Sequence, residues 1–129
     1  MPPITELTRI EPVHLARLEK QGIFTTGLLL DVSESAGRRQ YLADHVGATI
    51  NEVAEWRDEA LMLNLAGFGP AEHQLLIQAG IEGLRDLLDM DLPTFRAKVE
   101  RAAPHLGMEQ PSAIAMDGWW EQARTLEEE

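Results

Sequence analysis

Residues 65–81 read LAGFGPAEHQLLIQAGI, and this stretch decides the fold of the chain. Pro70 suits the first turn of a helix, where its missing N–H is no loss. Leu76 and Ala79 follow at helical spacing, and Gly80 can take the left-handed conformation that ends a helix. The stretch therefore predicts a helix that begins near Pro70 and ends in a tight turn, with Ile81 as an apolar plug.

The same pattern occurs a second time, at a constant offset of 58 residues toward the N-terminus. The first copy matches through Leu7, Pro12, Leu18, Gly22, Ile23, Leu29, Leu30 and Asp31, and the second through Leu65, Pro70, Leu76, Gly80, Ile81, Leu87, Leu88 and Asp89. An ungapped match of glycine, proline and spaced leucines indicates an internal repeat. Each copy is expected to form two helices joined by a tight hairpin, and Thr25 or Thr26 can cap the second helix of the first copy.

Further helices are predicted after each hairpin. Residues 36–46 have a helical pattern that stops at Gly47, and Asp91 can cap a helix in the second copy. Each copy then adds a helix that carries a tryptophan, Trp56 or Trp119.

The starts of the tryptophan-bearing helices are also marked. Thr49 and Glu52 form a capping-box pattern ahead of Trp56, and Ser112 precedes the helix of Trp119. No alternating strand pattern of useful length is present. The predicted fold class is all-α: two tandem helix-hairpin-helix units, 1–63 and 64–129, each followed by a Trp-bearing helix. We expect one compact domain, closed by an acidic tail, Glu127-Glu128-Glu129.

Composition restricts the classes of function. A chain of 129 residues with 44% hydrophobic and 26% charged residues is expected to fold as a globular protein. With no cysteine, it has neither disulfides nor thiolate metal sites. It shows no signal-peptide pattern and no run of roughly 20 apolar residues, so we expect a cytoplasmic protein that does not enter a membrane. The formal charge of −11 repels phosphate backbones.

The repeat and the C-terminal stretch resemble a known family, the domain-of-unknown-function family 4332, over nearly the whole chain. The matching features are Gly22-Ile23-x-Thr25, Leu29-Leu30, Leu65-Ala66-Gly67-Phe68-Gly69, Gly80-Ile81, Leu87-Leu88, Pro111-Ser112, Met116, Trp119 and Glu121-Gln122-Ala123-Arg124. The resemblance implies a helical fold related to the DNA-binding hairpin modules of repair and recombination proteins. It implies no established activity, so the function depends on the site itself.

A nucleic-acid site in the hairpins has mixed support. Gly67, Phe68 and Gly69 can present backbone N–H groups to a phosphate, but residues 64–91 carry five acidic residues against Arg85 alone. Glu72, in the first helical turn, can satisfy the helix dipole that a phosphate would need.

The first hairpin shows the opposite balance. Arg9-Ile10-Glu11 replaces the glycines, and Glu11 is a candidate for the anion position. Arg9, Arg17 and Lys20 remain as candidate nucleic-acid contacts. We expect no appreciable affinity for DNA near physiological salt, because non-specific binding depends on counterion release.

Catalytic and metal chemistry are not predicted. The histidines, at positions 14, 45, 73 and 105, include no pair four residues apart, and solvated histidines are the preferred interpretation. No nucleophile motif or P-loop is present, and pairs such as Asp58-Glu59 carry little information in so acidic a chain. We expect no enzyme activity, no cofactor and no metal site.

The tryptophans provide the candidate partner contacts. Trp56 is predicted to lie in the core. Trp119 and Trp120 point about 100° apart on a helix, so one of them is expected to lie at a partner or self-association surface. The predicted function is therefore a non-catalytic interaction or scaffolding module for a protein partner. The alternative is a weak, non-sequence-specific DNA- or RNA-binding accessory protein.

Overall fold

A computed structural model describes residues 2–65 and 67–128, and within this part the chain is all-helical. It divides into two compact units, Met1–Asn64 and Leu65–Glu129. Ala66 of the quoted stretch and the side chains of the acidic tail, 127–129, lie outside the described residues. No helix in the described ranges combines the length and the apolar character needed to cross a bilayer.

The first unit begins with a short 3-10 turn, Ile4–Glu6, which is followed by α-helices. These are α1 (Pro12–Lys20), α2 (Thr26–Val32), α3 (Ala36–Val46) and α4 (Ile50–Leu63). Hydroxyl side chains cap three of them: Thr25 accepts from Leu28 N at the start of α2, and Ser35 caps α3. The predicted capping box of Thr49 and Glu52 at the start of α4 is confirmed, with both hydrogen bonds present.

Helix α4 is the centre of the first unit, since it contacts both α2 and α3. Its buried face carries Val53, Trp56, Ala60 and Leu63, so the predicted core position of Trp56 is confirmed. The N-terminal segment closes onto the turn before α2, where Ile4 N donates to Phe24 O at 2.8 Å. Thr26 N donates to Pro2 O at 3.0 Å in the same pairing.

The second unit contains α5 (Pro70–Gln78), α6 (Leu84–Leu88), α7 (Leu92–Ala102), a 3-10 turn (Ala103–Leu106) and α8 (Ala113–Glu128). Asp91 caps α7 by accepting from Thr94 N at 2.8 Å, as predicted. Ser112 accepts from Ala115 N at the start of α8. Helix α8 contacts α6 and α7, and its buried face carries Met116, Trp119 and Ala123.

Gly22 and Gly80 occupy turns of the same geometry. Their φ angles are 82° and 84°, a region that L side chains avoid. In the first turn Ile23 N donates to Leu18 O at 3.0 Å, and in the second Ile81 N donates to Leu76 O at 2.8 Å. Each of these bonds reaches back five residues to a carbonyl in the last turn of the preceding helix. The two turns therefore share the same backbone geometry.

Leu76→Ala tests the predicted core of the second unit. Leu76 has no exposed surface, so truncation is expected to lower the free energy of unfolding by about 2–5 kcal/mol through lost burial and a residual cavity. Leu28→Ala is the matched control, because the Leu28 side chain is 42% exposed. Reversible urea unfolding measures both. A loss below about 0.5 kcal/mol for Leu76→Ala would place this residue on the surface instead.

Candidate functional site

The N–H groups before α1 are occupied by a carboxylate from α4. Glu59 is completely buried and accepts hydrogen bonds from Thr8 N at 2.9 and 3.0 Å, from Thr8 Oγ1 at 2.5 Å and from Arg9 N at 3.2 Å. The expectation that Glu11 fills the anion position is wrong: Glu11 is exposed, and its side chain makes no cap hydrogen bond. The chain thus supplies its own anion, but from α4.

Two of the three predicted nucleic-acid contacts in the first unit have intramolecular partners. Arg9 Nη1 lies 3.1 Å from Asp58 Oδ2, and Arg17 Nη1 donates to Val46 O at 2.9 Å, at the end of α3. Lys20 is exposed at the end of α1. The structure therefore does not gather these three cations into one free basic surface.

The remaining arginines of the first unit surround the end of α2. Arg57 Nη1 donates to Leu30 O at 2.9 Å and to Ser33 Oγ at 3.1 Å, and Arg39 Nε donates to Ser33 O at 2.8 Å. Burial lowers the pKa of Arg57, and the charge of Arg39 acts in the same direction. These guanidinium groups satisfy carbonyls at a helix C-terminus, where cations are favourable.

The hairpin of the second unit also holds a carboxylate. Gly67 has a φ of 71°, and Gly69 N donates to Glu72 Oε2 at 3.2 Å, as the position of Glu72 in the first turn suggested. Phe68 is half-buried, and its ring meets Trp119 edge to face at 5.6 Å between centroids. The three hairpin residues thus contribute to packing and capping within their own unit.

The adjacent tryptophans of α8 have different environments. Trp119 is only 4% exposed, whereas Trp120 is half-buried. The Trp120 indole N–H donates to Met90 O at 3.1 Å, and the Arg124 guanidinium carbon lies 3.3 Å from the centroid of its ring. Of the two predicted partner contacts, Trp120 is the one that reaches the surface, and Arg124 covers part of it.

The interpretation of all the histidines as solvated is wrong for two of them. His14 and His73 are 6% and 0% exposed, because each lies one helical turn from a buried leucine, Leu18 or Leu76. The His14 ring contacts Trp56, with centroids 5.3 Å apart. Among the residues that the structure describes, no group of three or more potential ligands is placed to hold a metal ion.

An exposed apolar stripe on the first unit was missed by the sequence reasoning. Phe24, Leu28 and Val32 are 56%, 42% and 37% exposed, and they stand four residues apart in the sequence. Leu28 and Val32 lie one turn apart on the same face of α2, and Phe24 lies just before Thr25, the N-cap of this helix. The four-residue spacing is visible in the sequence, but the match between the two copies runs through Leu29 and Leu30, which indicates only the buried side of α2.

The comparisons with known proteins identify a family but no activity. The model of the family described as a domain of unknown function (DUF4332) matches residues 8–126, which include most of both units. No curated protein and no solved structure matches the chain. Because the family model covers far more than half of its length, this chain belongs to the DUF4332 family.

Proposed function

We propose that this protein is a non-catalytic interaction module that recognises an amphipathic helix of a partner protein. The observation that carries this proposal is the exposed stripe of Phe24, Leu28 and Val32. Leu28 and Val32 on one face of α2, together with Phe24 just before the helix, expose three large apolar side chains to water, and groups of exposed apolar side chains are typical of protein interaction sites. A partner helix can cover them with its own apolar face.

Two exposed carboxylates beside the stripe favour a basic border on the partner, while the guanidinium groups of Arg38, Arg39 and Arg57 donate to backbone carbonyls at the end of α2. Asp31 lies next to Val32 and is exposed, and Glu34 follows two residues later with a side chain 74% exposed. The weak ion pair of Glu34 with exposed Arg38, at 3.9 Å, leaves its carboxylate largely in water. Lysine or arginine beside the apolar face of a partner helix would complement these charges.

The stripe is held in a fixed position. The carbonyl of Phe24 accepts from Ile4 N at 2.8 Å, and Thr25 caps the helix by accepting from Leu28 N at 3.1 Å. The backbone that carries the stripe is thereby ordered before a partner arrives, which lowers the entropic cost of binding.

We further interpret the two units as tandem helix-hairpin-helix repeats. The matching turns at Gly22 and Gly80, each followed by a short helix, support this interpretation. So do Trp56 and Trp119, which both lie buried on a later helix of their unit. A cytoplasmic scaffolding role is in keeping with this proposal.

The nucleic-acid alternative has weaker support. In the first unit Glu59 accepts the hydrogen bonds of Thr8 N and Arg9 N, and in the second unit Glu72 accepts that of Gly69 N. A phosphate would have to displace a carboxylate at each place. The net charge of −11 adds a long-range penalty.

A labelled synthetic peptide tests the proposed protein-binding face. The probe is an amphipathic helix with a leucine face bordered by lysines, and the readout is fluorescence anisotropy. We expect saturable binding that becomes weaker by about 10-fold or more in the double variant Phe24→Ser, Leu28→Ser, because the central apolar contacts are lost. The matched control is Val13→Ser, since Val13 is 47% exposed but lies on α1.

Two results would contradict the proposal. One is equal affinity of the parent protein and the double variant for the peptide; the other is equal binding of a scrambled peptide with the same composition. Labelled single-stranded DNA serves as a second probe, and no saturable binding to it is expected near physiological salt. Tight binding to DNA that resists added salt would instead support the nucleic-acid alternative.

A further inference from the structure

A pocket of about 230 Å³ lies in the second unit, between the end of α5, helix α7 and the 3-10 turn that follows α7. Its lining consists of Gln78, Ala79, Lys98, Arg101, Ala102 and His105. Three of these six residues are basic, in a chain where acidic residues outnumber Lys and Arg by 22 to 11. The pocket is therefore a local exception to the charge of the molecule.

Helical geometry explains why the basic residues converge. Lys98, Arg101 and His105 follow one another at intervals of three and four, which places them on one side of α7 and its 3-10 extension. The buried face of α7 carries Phe95, Val99 and Ala102. The small side chains of Ala79 and Ala102 leave the space that larger residues would fill.

The cations of this pocket differ from others of the second unit. Arg96 forms a salt bridge with Asp117, and Arg124 covers Trp120 and donates to Met90 O at 2.9 Å. Lys98 and Arg101 are exposed, and within 67–126 neither has an ion pair or a hydrogen bond from its side chain. Their charges remain available to a ligand.

We propose that this pocket binds the phosphate group of a small phosphomonoester. A phosphate dianion matches two permanent cations, and its terminal oxygens can accept from the Arg101 fork, the Lys98 ammonium and the Gln78 amide. A neutral or protonated His105 imidazole can donate to the same group. The site is thus suited to a compact anion with several acceptor oxygens.

Pocket size and the surrounding charge select against larger ligands. A volume of about 230 Å³ is below the range of roughly 300–1,000 Å³ that is typical of sites for drug-sized molecules. It admits a phosphate with a short carbon chain. The net charge of −11 repels the many phosphates of a nucleic acid more strongly than the single phosphate of a small monoester.

If these cations had only a structural role, the variants would behave differently from those of a phosphate-binding site. The pocket contains the C-terminal end of α5, and cations near such an end stabilise the helix dipole. That role affects stability in the absence of any ligand, whereas a phosphate site changes ligand affinity. Both quantities are therefore measured on the same variants.

The probe is glycerol 3-phosphate, titrated into the full chain at constant ionic strength and followed through the His105 imidazole signals by NMR. We expect saturable shifts with a Kd of about 1 mM or lower. Lys98→Gln and Arg101→Gln should each weaken binding by about 10-fold, since each removes a charge-assisted hydrogen bond. Lys20→Gln is the matched control: it removes the same charge from an exposed position in the first unit and should leave the affinity unchanged.

Glycerol and single-stranded DNA complete the experiment. The proposal requires that glycerol produces no shift and that DNA binds more weakly than the monoester. It is overturned if the shifts do not saturate or if glycerol reproduces them. It is also overturned if DNA binds more tightly through the same residues, or if Lys98→Gln and Arg101→Gln change urea stability but not affinity.

Discussion

Trp119→Ala is expected to lower the free energy of unfolding by about 3–5 kcal/mol, as is usual for a large aromatic side chain removed from a packed core. The Trp119 ring is 4% exposed and lies on the buried face of α8 with Met116 and Ala123. Phe68 contacts it edge to face and would lose this partner as well. The cavity left by an indole is too large for neighbouring side chains to fill completely.

Trp120→Ala is the matched control, because it removes the same side chain from the next position of the same helix. Trp120 is half-buried, so less apolar surface is lost. Trp120→Ala also removes the hydrogen bond to Met90 O and the contact with Arg124. We therefore expect a measurable loss of unfolding free energy, smaller than that of Trp119→Ala. Urea unfolding followed by far-UV circular dichroism compares the two variants. An equal or larger loss for Trp120→Ala would reverse the assignment of core and surface.

Glu59→Ala, a separate variant in the first unit, is expected to lower the free energy of unfolding by about 3–5 kcal/mol. Removal of a buried charged partner leaves the polar groups that it contacts unsatisfied. Thr8 N, Thr8 Oγ1 and Arg9 N all donate to this carboxylate. Alanine provides no acceptor for these part-buried donors, which would have to exchange a charged acceptor for water.

Two control variants separate this effect from a general loss of acidic charge. Glu59→Gln keeps the shape and one acceptor oxygen, so it should cost less than alanine. Asp58→Ala removes a neighbouring carboxylate whose side chain is 21% exposed and whose ion pair with Arg9 is partly solvated. Asp58→Ala should therefore show the smallest loss of unfolding free energy among the three variants. If all three variants unfold at the same urea concentration, Glu59 has no special role in the first unit.

The all-helical class and many helix boundaries could be predicted because their signals are local. A capping residue acts on an amide three residues away, as Thr49 does at Glu52 and Asp91 at Thr94. A glycine with a left-handed φ also ends a helix without any distant contact. The turns at Gly22 and Gly80 could be predicted for this reason.

The candidate sites were harder to predict because they depend on partners distant in sequence. Glu59 reaches Thr8 across 51 residues, and no local pattern distinguishes it from the other acidic residues. The burial of His14 was not predicted, because the polarity of histidine indicates a solvated side chain whereas its spacing of four residues from Leu18 indicates the core. The basic pocket required the position of Gln78 relative to α7, which spacing along a single helix does not give.

The closure of the N-terminal segment onto the turn before α2 has a consequence for biosynthesis. Pro2 and Ile4 find their hydrogen-bond partners at Thr26 and Phe24, and the Glu59 carboxylate later takes up Thr8 N. Helices form rapidly, and the pairing of Glu59 with Thr8, although it spans 51 residues, closes within the first unit. As translation is slow by comparison, residues 2–64 are expected to reach their native arrangement on the ribosome while the second unit is still emerging. The order of the two units along the chain is then expected to be an order of folding as well.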